Sequence, residues 1–158
     1  KQKKGYQVKK LFVELKSVLS VDQGAKVIVI GAGRLGRALS EYKLFRVRNI
    51  FVSALFDNKT ELIGDCVEVK GTKSPILDIA ELDQYLKDNR DIKIALLAVP
   101  DTVAQEMLDR LIGLGIKGIV NFAPKILKLP KNNKDVFLVN DCIGASLYKI
   151  VYQIYQQD

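Results

Sequence analysis

The sequence contains no histidine, no tryptophan, one methionine and only two cysteines. Without histidine, catalytic triads with an imidazole base are excluded, and a metal site loses its commonest nitrogen ligand. The two cysteines, Cys66 and Cys142, lie far apart and have no metal-ligand partners near them in the sequence. We therefore interpret both as reduced structural thiols of a cytoplasmic protein, and we predict no metal site.

Long apolar runs are also missing. No window approaches 18 consecutive apolar residues, so the sequence predicts no membrane span. A length of 158 residues, with 48% hydrophobic and 27% charged residues, is typical of one globular domain with added elements. The chain starts with Lys1 rather than methionine, and no apolar signal region follows, which suggests a piece of a longer protein.

The positive charge is concentrated near the start of the chain. Of the formal net charge of +7, residues 1–16 carry +5, from six lysines and one acid, Glu14. Apolar residues recur at helical spacing from Val8 to Leu19, so we predict a basic segment and a linking helix over residues 1–22. Such a segment is able to lie beside a polyanion such as DNA. A solvated helix face is the alternative interpretation.

The central motif is a β-branched run that ends in G-x-G-x-x-G. A predicted strand, Lys26–Ile30, leads into Gly31, Gly33 and Gly36, and a predicted helix follows from Arg34 to Tyr42. The first glycine makes the tight turn, the second lets the backbone approach a pyrophosphate, and the third lets the helix pack closely. The predicted site residues of this turn are Gly31, Ala32, Gly33, Arg34, Leu35 and Gly36. The alternative is a glycine turn that binds nothing.

A second apolar run, Ile50–Phe56, ends at Asp57, which lies 26 residues after Gly31. A carboxylate at this place accepts the ribose hydroxyls of NAD and repels the 2′-phosphate of NADP. Arg34 mildly favours NADP, but the charge of Asp57 decides the prediction. We expect the cofactors to be NAD and NADH.

Strand and helix patterns alternate along the rest of the chain. We predict strands over Ser74–Leu77, Ile92–Val99 and Gly118–Phe122, helices over Ile79–Lys87 and Thr102–Leu114 (capped by Asp101), and a hairpin of Ile126–Leu129 with Val136–Val139. Cys66–Val69 is interpreted as a short strand or a loop. This order predicts an α/β fold with a Rossmann-type, doubly wound, mainly parallel sheet over residues 23–140.

Ligands of doubly wound sheets bind beyond the carboxyl ends of the strands. Two further segments are predicted to end there; their site residues are Ala98, Val99, Pro100, Asn121, Phe122, Ala123 and Pro124. Asn121 and nearby carbonyls are predicted to bind the nicotinamide amide. Phe122 either packs against the nicotinamide ring or belongs to the core. No proton-donor motif stands nearby and no substrate domain follows residue 140, so we predict a binding module rather than an enzyme.

Residues 141–158 are predicted to form a C-terminal dimerisation helix with Asp141 as its N-cap. Two stripes of side chains cover much of the helix circumference. The apolar stripe consists of Ile143, Leu147, Ile150, Val151 and Ile154, and the aromatic stripe consists of Tyr148, Tyr152 and Tyr155. Such a helix needs two surfaces to bury against. Exchange between the subunits of a homodimer supplies both. A plain helix that covers the sheet edge is the alternative.

In combination, several segments resemble the Rex family of redox-sensing transcriptional repressors. They are Gly5–Val8, Gly31–Leu39, Ala54–Asp57, Ala98–Pro100, Gly115–Pro124 and Val139–Asp141. The resemblance implies an NAD(H)-binding, dimer-forming region whose C-terminal helix is swapped between subunits. It also implies an N-terminal winged-helix domain that binds operator DNA, and it implies that NADH binding releases this DNA. Asp141 is then expected near the partner's nicotinamide pocket, where it couples redox state to DNA binding.

The sequence departs from the family pattern at three points. The winged-helix domain is absent from the 158 residues, Arg34 stands where the family often has asparagine, and Cys142 stands where a larger apolar residue is common. A competing interpretation is a nucleotide- or CoA-binding subunit of an enzyme whose catalytic groups lie on another chain.

Overall fold

The computed structural model describes residues 24–131, 133, 135–141 and 143–155. The basic segment and linking helix predicted over residues 1–22 lie outside the described residues, and so does Cys142. The elements in chain order are β1 (Ala25–Ile30), α1 (Arg34–Ser40), α2 (Lys43–Val47), β2 (Ile50–Asp57), β3 (Cys66–Val69), β4 (Thr72–Asp78), a 3₁₀ turn (Ile79–Glu81), α3 (Leu82–Asp88), β5 (Ile94–Leu97), α4 (Asp101–Gly113), β6 (Gly118–Asn121), β7 (Phe137–Asn140) and α5 (Ile143–Tyr155).

The seven strands form one sheet in the order β3-β4-β2-β1-β5-β6-β7. Every neighbouring pair is parallel except β3 and β4, which pair antiparallel. The Rossmann-type, mainly parallel sheet is therefore confirmed. The chain winds outward in opposite directions from β1 and β5, so the switch point of the topology lies between these two strands.

Both faces of the sheet are buried, as the nearly continuous apolar strands predict. In β1, Ile28 and Ile30 pack on the face covered by α3 and α4. Val27 and Val29 pack on the opposite face, where α1 contributes Leu39 and α2 contributes Phe45. The alternation of side chains along each strand thus produces two separate core layers.

The predicted hairpin of Ile126–Leu129 with Val136–Val139 is wrong. The first segment forms no strand, and β7 instead pairs parallel with β6 at the free edge. Leu127 is held by one side chain rather than by a ladder: its N–H donates to Asn140 Oδ1 at 2.9 Å, and its carbonyl accepts from Asn140 Nδ2 at 3.1 Å. The same leucine is 2% exposed, so core burial also holds it.

The structure also changes local boundaries and settles one assignment that the sequence left open. The helix predicted to run to Tyr42 ends at Ser40, because Tyr42 has an extended backbone and caps a separate short helix, α2. Asp101 is the first residue of α4 rather than its N-cap, which is Pro100. Cys66–Val69, left between strand and loop, is the antiparallel strand β3.

The C-terminal helix α5 exposes most of its apolar surface. Seven of its large apolar or aromatic side chains are 41% to 79% exposed: Leu147, Tyr148, Ile150, Val151, Tyr152, Ile154 and Tyr155. The described part of the helix begins at Ile143. The predicted N-cap role of Asp141 stays a prediction, because Cys142 between them lies outside the described residues. Among the helices that the structure describes, none combines the length and apolarity that a bilayer crossing requires.

Candidate functional site

The glycine turn lies where the carboxyl ends of β1, β2 and β5 meet. Gly31 has a φ of +98°, and a Cβ there would lie 2.3 Å from the Ala98 carbonyl oxygen. A Cβ on Gly36 would lie 1.8 Å from the Gly31 carbonyl oxygen. The Gly31 N–H also donates to the Phe56 carbonyl at 2.7 Å. Glycine is therefore required at both positions, one for the turn and one for the close approach of α1.

Gly33 differs from these two glycines because it faces open space. A Cβ at Gly33 would find no atom within 4 Å. The residue is exposed and has an extended backbone. It is the N-cap of α1, and no side-chain hydrogen bond caps the helix there. The side chains of Arg34 and Leu35, which follow it, are exposed as well. This open backbone fits the predicted approach of a pyrophosphate.

Asp57 is the last residue of β2 and lies directly beside the turn. Its Oδ2 accepts a hydrogen bond from the Ala32 N–H at 2.7 Å, and its Oδ1 accepts one from the Lys59 N–H at 3.0 Å. These two bonds fix the orientation of a half-buried carboxylate. Because each carboxylate oxygen has a second lone pair, Asp57 retains acceptor capacity for ribose hydroxyls.

Arg37 is a contact of the turn that the sequence analysis missed. Its Nε donates to the Ala32 carbonyl at 3.2 Å, and a terminal guanidinium nitrogen lies 2.9 Å from Asp65 Oδ2. The Cys66 N–H and the Arg37 guanidinium hold the pKa of Asp65 below its usual value. The glycine spacing carries no signal for this contact, because it depends on where the loop before β3 passes.

A second group of predicted residues lies at the ends of β5 and β6. Ala98 and Val99 are half-buried and Pro100 is exposed. Phe122 donates its N–H to the Leu97 carbonyl at 2.8 Å and packs, half-buried, against the core layer that contains Val29. Its ring is therefore packed against that layer and still partly exposed. Further along, Ala123 is buried and Pro124 is exposed.

Asn121 does not reach the surface of this site. It is 0% exposed, and its Nδ2 donates to the Lys125 carbonyl at 2.7 Å and to Asn140 Oδ1 at 2.8 Å. Its Oδ1 accepts from the Ala123 N–H at 3.0 Å. Two of these bonds hold the loop after β6 to Asn121, and the third joins β6 to β7. The predicted contact of Asn121 with a nicotinamide amide stays a prediction.

Asp141 is exposed at the same edge of the sheet. Its N–H donates to the Asn121 carbonyl at 2.8 Å, which extends the pairing of β6 and β7 by one residue. The predicted role of its side chain near a nicotinamide ring remains a prediction.

No cluster of three or more metal-ligating side chains is found within residues 24–131, 133, 135–141 and 143–155. The polar groups gathered at the turn are the carboxylates of Asp57 and Asp65, the guanidinium groups of Arg34 and Arg37, and backbone N–H groups. This set suits an anionic, hydroxyl-bearing ligand such as a dinucleotide.

Known proteins resemble this chain over most of its length. A family model described as "CoA binding domain" matches residues 22–125. The redox-sensing transcriptional repressor Rex of Clostridium botulinum (strain Eklund 17B / Type B) is 38% identical over 153 residues, which cover 97% of this chain and 69% of the relative.

Two solved structures of RSP, a Rex-family repressor, resemble the chain. The complex of RSP with β-NAD⁺ and operator DNA has a TM-score of 0.82 and 33% identity, and the match covers 98% of this chain and 67% of RSP. The complex with β-NADH has a TM-score of 0.75 and 33% identity, covering 95% of this chain and 69% of RSP.

Proposed function

The chain belongs to the Rex family of redox-sensing transcriptional repressors, and on this premise we propose that it is the NAD(H)-sensing part of such a repressor. It binds NAD⁺ and NADH at the carboxyl edge of the sheet and is not an enzyme. The matched part of RSP has been solved with both forms of the cofactor. Since a repressor acts on DNA, we place the protein in the cytoplasm.

The contact between Asp57 and Ala32 is the observation that carries the proposal. At 2.7 Å it fixes a carboxylate beside the open backbone of Gly33. A dinucleotide that spans these two groups places its pyrophosphate against the glycine turn and its adenosine ribose against the carboxylate. The predicted turn residues therefore meet at one place with the chemistry that NAD(H) requires.

The nicotinamide is assigned to the other half of the edge, beyond β5 and β6. Ala98 lies against Gly31, and the half-buried Phe122 is bonded to the end of β5. The apolar side chains of Val99 and Phe122 are partly accessible there. We retain the exposed Asp141 as a residue that distinguishes the two redox states, because only the oxidised ring is positively charged. A ligand shifts a conformational equilibrium only through such differential contacts.

The subunit partner is a second copy of the chain. Besides the exposed stripes of α5, the sheet leaves Phe137 and Val139 of β7 exposed by 75% and 56%. Val139 pairs with Val120, so it lies on the face of the half-buried Phe122. We propose that α5 of one subunit packs against the other subunit, which buries apolar surface from both sources.

Sedimentation of the whole chain tests this dimer. We expect a parent dimer and a monomeric variant that carries Leu147→Glu and Ile154→Glu, two exposed positions seven residues apart on one stripe of α5. Lys149→Glu, a charge change at an exposed position of the same helix, serves as the control and should leave the dimer intact. A double variant that sediments as the parent does contradicts the proposed interface.

Operator DNA is the partner of the complete repressor. RSP has been solved with operator DNA, and the chain covers about two thirds of RSP. We propose that DNA is bound by a winged-helix domain joined to the amino-terminal end of this chain, and that NADH releases the DNA by reorienting the dimer. In such a full-length protein, Asp141→Ala is expected to keep operator binding but to blunt its release by NADH.

One competing ligand is CoA, which the description of the family model suggests. CoA carries a 3′-phosphate on its ribose, and the carboxylate of Asp57 repels a phosphate at that place. Calorimetric titration with NADH, NAD⁺ and CoA separates the two functions. We expect the two nicotinamide cofactors to bind and CoA to bind far more weakly. CoA that displaces NADH, or substrate-dependent consumption of cofactor with hydroxy acids or aldehydes, favours the enzyme-subunit interpretation.

A further inference from the structure

We propose that Arg37, held by Asp65, is a positioning residue that orients the Gly33 N–H toward the cofactor's pyrophosphate. The inference rests on the proposed NAD(H) function and names two residues that the glycine motif does not include. Neither is expected to touch the cofactor. They act through the peptide group between Ala32 and Gly33.

Two consecutive peptide groups of the turn are each held by a charged side chain. The group before Ala32 is held through its N–H, which donates to Asp57. The group after Ala32 is held through its carbonyl, which accepts from Arg37 Nε at 3.2 Å. Asp65 in turn fixes the guanidinium at 2.9 Å, and its other oxygen accepts from the Cys66 N–H at 2.8 Å.

Because the peptide group between Ala32 and Gly33 is trans, the contact of Arg37 with the Ala32 carbonyl also orients the Gly33 N–H. All described peptide bonds are trans, so the C=O and N–H of one planar group point in opposite directions. With the Ala32 carbonyl held toward Arg37, the Gly33 N–H must point away from it. The space around the Gly33 Cα on the side of a Cβ is open. In the proposed arrangement, the fixed peptide group presents this N–H to an anion without any rearrangement of the turn.

A direct charge effect predicts a different result from a positioning effect. If Asp65 acted only through its negative charge, its removal would reduce repulsion of the anionic cofactor and strengthen binding. If it acts by holding Arg37, its removal loosens the Ala32 carbonyl and weakens binding. The sign of the change thus separates the two roles.

The same chain contains a matched control at the opposite end of the sheet. Lys26 and Asp91 form an ion pair with a 2.8 Å separation and side chains that are 54% and 58% exposed. The Arg37–Asp65 pair is similarly placed at the surface, with side chains 32% and 56% exposed. Asp91→Asn and Asp65→Asn therefore make the same chemical change to comparable pairs.

The test is calorimetric titration of NADH into the whole chain, four single variants and one double variant. We expect Asp65→Asn and Arg37→Gln each to raise the Kd for NADH about fivefold to tenfold, as for one weakened charge-assisted hydrogen bond. Arg37→Lys should also weaken binding, because one ammonium cannot reproduce the two-point contact of the guanidinium. Asp91→Asn should bind as the parent does. In an Arg37→Gln background, Asp65→Asn should have no further effect.

The outcomes are distinguishable from those of the proposed function. A parent chain that does not bind NADH overturns the proposed function, and the inference falls with it. A parent that binds NADH, with Asp65→Asn unchanged or tighter, overturns the inference alone. Additive losses in the double variant show that Asp65 acts independently of Arg37, and they also overturn it. Circular dichroism of each variant confirms that the compared chains are folded.

Discussion

Each end of the sheet has a glycine with positive φ and an ion pair at the surface, but the contacts of these residues differ between the ends. The amino end has a glycine with positive φ, Gly24, and the exposed ion pair of Lys26 with Asp91. The carboxyl end has Gly31 and the exposed ion pair of Arg37 with Asp65. A Cβ on Gly24 would lie 3.2 Å from a side-chain atom of Phe51, whereas a Cβ on Gly31 would lie 2.3 Å from a backbone oxygen.

The two ends also differ in what their charged side chains hold. At the amino end, the ion pair joins the side chains of Lys26 and Asp91. At the carboxyl end, the guanidinium also holds a carbonyl of the turn, and a carboxylate holds the neighbouring N–H. Charged groups at the carboxyl end therefore hold the backbone of the turn, and in the proposed site they determine which backbone donors face the ligand.

The largest expected effect follows Gly36→Ala. Its Cβ would lie 1.8 Å from the Gly31 carbonyl oxygen, which is backbone and has no room to move. We expect a loss of about 3 kcal/mol or more in the free energy of unfolding, together with loss of NADH binding. Urea denaturation and calorimetry measure the two effects. A stable variant that binds NADH would show that α1 need not approach the turn closely.

Asp57→Ala should have the next largest effect, and on binding rather than on the fold. Loss of the ribose contact costs about 1.5–3 kcal/mol of binding free energy, or a rise of roughly tenfold to more than a hundredfold in the Kd for NADH. Asp57→Asn keeps an acceptor for the Ala32 N–H but removes the charge, so it should narrow the preference for NADH over NADPH. Equal affinity of the parent for both cofactors contradicts the role of this carboxylate.

A pair of glycine variants sharpens the comparison between the ends. Gly24→Ala should reduce the free energy of unfolding by about 1–2 kcal/mol, because alanine is strained at its φ of +72°, and it should leave NADH binding unchanged. Gly33→Ala should leave stability within about 0.5 kcal/mol of the parent but weaken NADH binding, since the new methyl group enters the open space of the site. If Gly24→Ala weakened NADH binding and Gly33→Ala did not, the cofactor would bind at the amino end of the sheet, contrary to the proposal.

The smallest effect is expected for Asp91→Asn. The Lys26 ammonium lowers the pKa of Asp91 below its usual 3.8, and Asp91 raises the pKa of Lys26 above its usual 10.5. The carboxylate stabilises the fold above its unfolded pKa, and this contribution disappears as pH falls through the lowered folded pKa. The small difference in Tm between parent and variant should therefore vanish in strong acid. A difference that grows in acid contradicts this assignment.

Much of the fold follows from local pattern, and the exceptions have physical causes. The apolar strands and the glycine spacing predict the sheet and the turn after β1 correctly, because burial on both faces and close backbone contacts leave few alternatives. The predicted hairpin failed because one amide side chain, Asn140, replaces the ladder bonds of Leu127. A two-residue, long-range contact of this kind leaves no periodic trace in a sequence.

The site was predictable where spacing determines it and not where loops meet. Asp57 lies beside the turn as predicted because the ends of adjacent parallel strands converge there. Asn121 has the right place in the sequence but faces inward, where three hydrogen bonds satisfy it. The contact of Arg37 with Asp65 joins residues 28 positions apart through an irregular loop, so no motif includes it.

The most direct test of the account is to map NADH onto the two ends of the sheet by amide chemical shifts in NMR. We predict large shifts at Ala32, Gly33, Asp57 and Phe122, and none at Gly24 or Lys93. Shifts confined to the amino end, or no shifts at a high concentration of NADH, would contradict the claim that the carboxyl end of this sheet binds the cofactor.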